Sequence, residues 1–465
     1  MRNVIAAFAA CVLLHAQTQP QEPPASQQFH AWLRAFNSDN PQSLRDFLAR
    51  NYPSRPPGMD DDGFRKMTGG FDFKKAEEST DTSYTALIQE RSSDQFARAH
   101  IEVEQNPPFH ITRLDIAAIP RPAGFEVPAM GEKELVDAVQ KHAEQDAAAD
   151  TFSGAVLIAH DGKTVFARAW GLADREHKIP NTVDTKFRIG SMNKMFTATA
   201  ILQLAQAGKI DLQQPFGKYI TDYPNHELAS TVTIHQLLTH TGGTGDIFGP
   251  EFNKHRLDLK TLDDYIKLYG SRGPEFKPGS EWRYSNYGFE ILGVVIERVS
   301  GVSYYDYVRD HIYKVAGMTS SGSLPENEPV PNRSIGYTKF RDATAWHPNT
   351  DTLPWRGTSA GGGYSTVKDL AAFAEAILNH KLLNAQYTDL LTSGKVDARG
   401  AKYAYGFEDF NQGGVRWFGH GGGAPGMNGD LKIYPKMGYV IAVLANLDPP
   451  AAQRISEFIA NRLPH

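Results

Sequence analysis

From residue 150 to the C-terminus, strand patterns stand at the two ends and helical patterns fill the middle. Residues 154–159 and 164–170 flank an Asp161-Gly162 turn and read as a hairpin. Strand patterns return at 415–418, 429–434 and 438–447, followed by a last helix from 450 to about 462. Between them, residues 190–390 are mostly helical in pattern. A chain laid out this way closes one antiparallel sheet from its two ends and places helices on the sheet's faces, an α/β (α+β) architecture with a mostly helical subdomain.

Residues 27–125 form a separate small α+β unit. Phe29, Trp32, Leu33 and Phe36 recur at helical spacing, and Leu44, Phe47 and Leu48 follow on a second short helix beyond Asn40-Pro41. A polar stretch rich in Pro and Gly (53–70) precedes three strand-like runs at 84–89, 97–103 and 109–116. With the stretch Ala31-Trp32-Leu33-Arg34-Ala35-Phe36-Asn37, this element order resembles the cone-shaped SnoaL-like (cystatin-like) fold. The unit carries no convergent catalytic set, and its role is open among packing, substrate gating and protein contact. Ile119-Pro120-Arg121-Pro122-Ala123-Gly124 reads as a linker. A helix from 133 to about 149 opens the second domain, assigned to 130–465.

The N-terminus reads as an export signal over residues 1–16: Arg2, an apolar run from Val4 to Leu14, and a small residue at Ala16. A Gln- and Pro-rich linker at 17–26 follows. The protein is therefore expected to be exported, periplasmic or secreted. Cys11 is the chain's single cysteine. It lies inside the signal, so a mature chain has no thiol for disulfides, catalysis or metal binding. Phe8-Ala9-Ala10-Cys11 loosely resembles a lipobox, but the apolar run continues to Leu14, which favours cleavage over lipid anchoring. No later segment has the length of a membrane span. The formal net charge of −5 gives no reason to expect a nucleic acid partner. No ligand cluster has zinc-type spacing, so no metal and no cofactor are implied.

Three short patterns carry chemistry. Ser191-Met192-Asn193-Lys194 opens a buried helix. There free N–H groups and the helix dipole favour developing negative charge. Lys194, three residues on, reaches the serine oxygen, and desolvation there lets an amine act as base. Tyr284-Ser285-Asn286 precedes a helix at 287–299; its phenol can relay a proton and its amide can both donate and accept. His420-Gly421-Gly422 ends a strand, and the glycines through Gly423 let a backbone edge approach a substrate. Each pattern also has a plain structural meaning: a capping serine, a core tyrosine beside an N-cap asparagine, a glycine turn. Each also has a second copy. Ser365-Thr366-Val367-Lys368 reads as a cap leading into a surface helix. Tyr223-Pro224-Asn225 and His160-Asp161-Gly162 read as turns, and His240-Thr241-Gly242 as a turn that His240 structures.

Order and setting single out the first set, and with it residues 130–463 resemble the serine β-lactamase and penicillin-binding protein superfamily. The likeness is closest to the class C β-lactamase-like branch with its esterases and D-amino-acid peptidases. Residues 233–243 (Thr-Ile-His-Gln-Leu-Leu-Thr-His-Thr-Gly-Gly) and 359–370 resemble further signatures of that branch. The resemblance implies Ser191 as nucleophile, with Lys194 and Tyr284 sharing the proton transfers. Asn286 would orient the substrate and His420 flank it, and the backbone N–H groups of Ser191 and Gly423 would form the oxyanion hole. The partner is then a small-molecule ester, amide or peptide; the alternatives are a β-lactamase, a D-Ala-D-Ala carboxypeptidase, or a non-catalytic penicillin or peptidoglycan receptor. β-Lactamases carry Lys-Thr-Gly where this chain has His420-Gly421-Gly422, and a mostly neutral histidine attracts a carboxylate less than a lysine does. Pocket walls are expected in the loops around 245–260 and 324–355. Trp282, Trp346 and Trp355 are candidates either to line a cleft or to pack in the core or a lid.

Overall fold

The computed structural model describes residues 22–56, 61–340, 345–398 and 400–464, leaving out the side chain of Gln412. The expected signal, with Cys11, lies outside the described residues. The chain divides into two compact units between Pro122 and Ala123.

The first unit begins with α1 (Pro24–Phe36), inside the stretch expected to be linker. A proline at its first position suits a helix start, where the missing N–H costs no bond. α2 (Pro41–Asn51) is capped by Asn40, whose side chain accepts from the Gln42 N–H. α3 (Asp61–Thr68) occupies the stretch expected to be irregular. Four strands follow as an antiparallel meander: β1 (Phe71–Ser79), β2 (Ser83–Glu90), β3 (Phe96–Val103) and β4 (Ile111–Ile119). The expectation of three strands missed β1. Its sequence is mostly charged because it is an edge strand with Phe71 as its one fully buried side chain. Phe29, Trp32, Phe36, Phe71 and Tyr84 centre the core.

The second unit is built on an eight-stranded sheet. α4 (Glu132–Ala148) precedes the hairpin β5 (Gly154–His160) and β6 (Lys163–Trp170). The remaining strands are β7 (Val396–Ala398), β8 (Ala401–Tyr403), β9 (Glu408–Gln412), β10 (Val415–Ala424), β11 (Met427–Tyr434) and β12 (Tyr439–Ala445). Their spatial order is β7-β8-β9-β10-β11-β12-β5-β6, antiparallel throughout. β12 pairs with β5, Ala445 opposite Gly154, so the two ends of the unit are joined in mid-sheet.

β5 and β12 read as continuous apolar runs because both their faces are covered. Val156, Ile158, Ile441 and Val443 pack under α4 and the last helix (Ala451–Ala460). Their neighbours Ala155, Leu157, Val440, Ala442 and Leu444 point the other way, into the helical body. Helices thus flank the antiparallel sheet. Two features differ from expectation: the strands β7, β8 and β9 lie in a stretch where none was expected, and β10 does not stop near residue 418 but continues through His420 and three glycines to Ala424. Among the described residues no helix is long and apolar enough to cross a membrane.

Candidate active site

Ser191 lies in a single 3₁₀ turn, Gly190–Met192, just ahead of α5 (Asn193–Gln206). A two-residue strand, Phe187–Arg188, leads into it and pairs with Tyr364–Ser365. Gly190 takes a left-handed φ of 50°, which glycine adopts without a Cβ clash. Asn193 clamps the turn from below, donating to Thr358 O (2.9 Å) and accepting from the Gly363 N–H (3.2 Å). α5 is buried along nearly its whole length because it runs through the middle of the helical body.

Lys194 follows Ser191 by three residues, on the same helix face. Its side chain is completely buried. Nζ donates to Ala360 O (2.6 Å) and to Asn286 Oδ1 (2.7 Å), and lies 3.3 Å from Ser191 Oγ. Burial pulls its pKa down to about 7, against the opposing pull of the Asp246 and Glu290 charges. The amine is thus held at the serine with its proton loosened.

α6 (Asn286–Ser300) brings the second motif to the same point. Ser285, not Asn286, is its N-cap, accepting from the Gly288 N–H at 2.9 Å. That frees Asn286 for the site. Its Nδ2 donates to both carboxylate oxygens of Asp246, at 3.0 and 3.1 Å. A carboxylate only accepts, so this pair fixes which end of the amide faces Lys194. One helical turn on, Glu290 is completely buried and receives hydrogen bonds from Thr358 Oγ1 (2.5 Å) and Ser359 Oγ (2.9 Å). Burial raises its pKa to about 7, with those two hydrogen bonds and the Lys194 charge working the other way. Motif reasoning named neither Asp246 nor Glu290.

Tyr284 lays its ring 4.7 Å from Lys194 Nζ, and Phe289 adds a second ring at 5.4 Å. Behind Tyr284 lies His240, centroid to centroid 4.3 Å, in a left-handed turn with φ 60°. His240 Nδ1 accepts from the Ser285 N–H (3.1 Å) and so fixes the loop that carries the second motif.

His420 is buried in mid-strand, not at a strand end. Nδ1 is 2.5 Å from Gly421 O, and since a carbonyl only accepts, Nδ1 carries the proton. Nε2 then accepts from the Tyr403 hydroxyl (3.0 Å), on β8. Burial, reinforced by the Lys194 charge, drops its pKa to about 4, so the ring is neutral.

Past Gly419, β10 has outrun its partner β9 and pairs only with β11. The bare edge lies against the serine turn. A Cβ on Gly422 would fall 1.9 Å from Ile189 O, and one on Gly190 would fall 2.9 Å from Gly423 N. Only glycines permit this approach. Ser191, Asn286 and Gly423 line a cavity of about 650 Å3, whose far walls come from Ile247 to Arg256 and Asp351 to Pro354. Lys194, Tyr284 and His420 are not among its lining residues. Tyr284 lines a smaller cavity of about 60 Å3, with Asp246, Glu275 and Arg283.

The three tryptophans line neither cavity. Trp282 meets His240 edge-on, Trp346 donates to Asp150, and Trp355 covers the Lys260 amine. The second Ser-x-x-Lys copy also takes a form unlike the expected cap on a surface helix. Ser365 is buried in a strand against Ser321, while Thr366 caps the largely buried helix α7 (Val367–Leu378) and Lys368 pairs with Asp184. Among the described residues no group of three or more His, Cys, Asp or Glu side chains is placed to hold a metal.

Comparison with known proteins agrees with this fold. A family model described as Beta-lactamase matches residues 135–463. The protein PbpX of Bacillus subtilis (strain 168) is 32% identical over 297 residues, 63% of this chain and 70% of that protein. Among solved structures, a penicillin binding protein from Bacillus halodurans superposes with a TM-score of 0.62 at 30% identity, over 71% of this chain and 99% of its own. A D-stereospecific amidohydrolase from Streptomyces sp. gives a TM-score of 0.59 at 29% identity, over 69% of this chain and 97% of its own.

Proposed function

This chain belongs to the beta-lactamase family, and from that premise we propose that it is an exported serine hydrolase acting through an acyl-Ser191 intermediate on esters, small amides or D-amino-acid peptides. The observation that carries this reading is the buried Lys194 amine, 3.3 Å from an Oγ that faces a cavity of substrate size. Neutral Lys194 takes the Ser191 proton as Oγ attacks the substrate carbonyl. The tetrahedral oxyanion lies within reach of the Ser191 and Gly423 N–H groups. The proton passes on to the leaving group as its bond to carbon breaks, with Tyr284 sharing the transfer. Water then adds to the acyl ester, the acyl–Oγ bond breaks to release the acid, and Oγ recovers a proton from that water.

His420 bears on the substrate. It is neutral, buried and turned toward Tyr403, so the third motif offers no cation to a β-lactam carboxylate. This favours esters and amides over β-lactams, and the Streptomyces amidohydrolase supports the amide side. Export rests on the apolar run Val4–Leu14, and N-terminal sequencing of the secreted chain tests it.

The decisive experiment combines labelling with turnover. A fluorophosphonate adduct should map to Ser191 by peptide mass spectrometry. A panel of short-chain esters, D-alanyl amides and a chromogenic cephalosporin should show turnover of the first two classes. An adduct on another residue would sink the reading, and so would a stable adduct at Ser191 with no turnover of any substrate.

A further inference from the structure

The cavity beside Ser191 has a charge on its wall that none of the three motifs supplies. Arg256 caps the end of the short helix Pro250–His255 and lines the cavity with Ser191 and Asn286. Its Nη1 donates to Leu353 O (2.8 Å), and its own carbonyl accepts from the Trp355 N–H (3.0 Å). Both bonds tie the residue to the adjoining loop of the same wall. A guanidinium has five N–H donors in a rigid fork. Among the described residues Leu353 O takes one of them, and the others remain for a ligand.

The surroundings strengthen that charge. Phe248, Phe252, Leu353 and Met427 make much of the wall apolar, and an ionic contact gains as water is excluded. Asp351 is the acidic residue on the same wall, but it is exposed, whereas Arg256 is partly buried. The third motif leaves the role vacant, because His420 is neutral and already bonded on both ring nitrogens.

We propose that Arg256 binds a carboxylate of the substrate, so that the preferred substrates are esters or amides carrying an anionic group away from the scissile carbonyl. This rests on the serine hydrolase reading and adds the substrate's charge to it. Arg256 is a specificity residue; it takes no part in the proton transfers.

Two pairs of esters test it. 4-Nitrophenyl hydrogen adipate and its methyl ester differ by a carboxylate on the acyl side. 3-Carboxyphenyl butyrate and its methyl ester differ by one on the leaving-group side. Within at least one pair the charged member should be favoured in kcat/KM by about tenfold or more, the scale of one charge-assisted hydrogen bond. That ratio should fall toward one in Arg256→Gln and be partly kept in Arg256→Lys. Because both members of a pair share any folding defect, the ratio reads recognition alone. A wild-type ratio near one in both pairs would overturn the proposal, as would a preference that survives Arg256→Gln unchanged. Turnover of all four esters with no preference defeats this proposal only. Turnover of none of them, with the D-alanyl amides inert as well, defeats the serine hydrolase reading, and this one with it.

Discussion

At the scale of single residues, the site depends on how Lys194 is held. Below pH 7 or so the amine keeps its proton and cannot take one from Ser191; above it, it can. Under the proposed mechanism kcat/KM therefore rises with pH through about 7 and then levels off. A flat profile between pH 5 and 9 would contradict Lys194 as the base. Asp246 offers a sharper test. Its carboxylate favours the charged ammonium, so in Asp246→Asn the rising limb should move to lower pH. The same change frees the Asn286 amide to turn over. Losing those two charge-assisted bonds should cost about 1.5–3 kcal/mol of transition-state stabilisation, roughly ten- to a hundredfold in kcat/KM. An unshifted limb would show that Asp246 does not act through the amine. Ser191→Ala should abolish turnover while leaving the melting curve in place. Ser191, Lys194, Tyr284 and Asn286 were legible in the sequence because helix periodicity and short motifs fix local spacing. Asp246, Glu290 and Tyr403 were not, because they reach the site only through tertiary folding and no spacing records that.

Among elements, the glycine edge of β10 is the part that positions the serine turn. Gly422→Ala places a Cβ 1.9 Å from a backbone carbonyl, so the turn carrying Ser191 must move. Overpacking of this kind costs about 1–3 kcal/mol, and turnover should fall with it. Gly421→Ala is the control, since its Cβ would come nearest the end of the Gln453 side chain, at 3.2 Å, with only ordinary contacts beyond. Equal tolerance of the two changes in melting and kinetic assays would refute the argument. The second Ser-x-x-Lys copy separates structural from chemical roles. Thr366→Ala removes the α7 cap and should cost about 1 kcal/mol, while Ser365→Ala should keep most activity. A dead but stable Ser365→Ala protein would displace Ser191 as the proposed nucleophile. Element order was readable from periodicity, but β10 was cut short and β1 missed for opposite reasons, and the short strands β7, β8 and β9 were missed too. β10 looked finished at residue 418 because glycines weaken the strand signal. β1 went unassigned because an edge strand carries charge in place of apolar alternation.

For the whole molecule, the question is which part of the chain the activity needs. Every residue placed at the site lies between Gly190 and Met427, within the unit that begins at Ala123. That unit has its own two-sided sheet core, closed by α4 and the last helix from opposite ends of the segment. The family match begins at residue 135, inside the same unit. The Pro120-Arg121-Pro122 stretch was readable as a break because its prolines interrupt both helix and strand patterns. The purpose of the first unit was not, since its sequence shows a packed core and no convergent catalytic set. A domain with its own core folds alone, so a chain starting at Ala123 should melt cooperatively and keep kcat/KM within about threefold of the full chain on small esters. Larger substrates extend the test. If the first unit gates or recruits, its removal should change KM for peptides while leaving small-ester turnover in place. A well-folded second unit that turns over no ester would show that the first unit completes the active site, and the division of labour argued from the fold would be wrong.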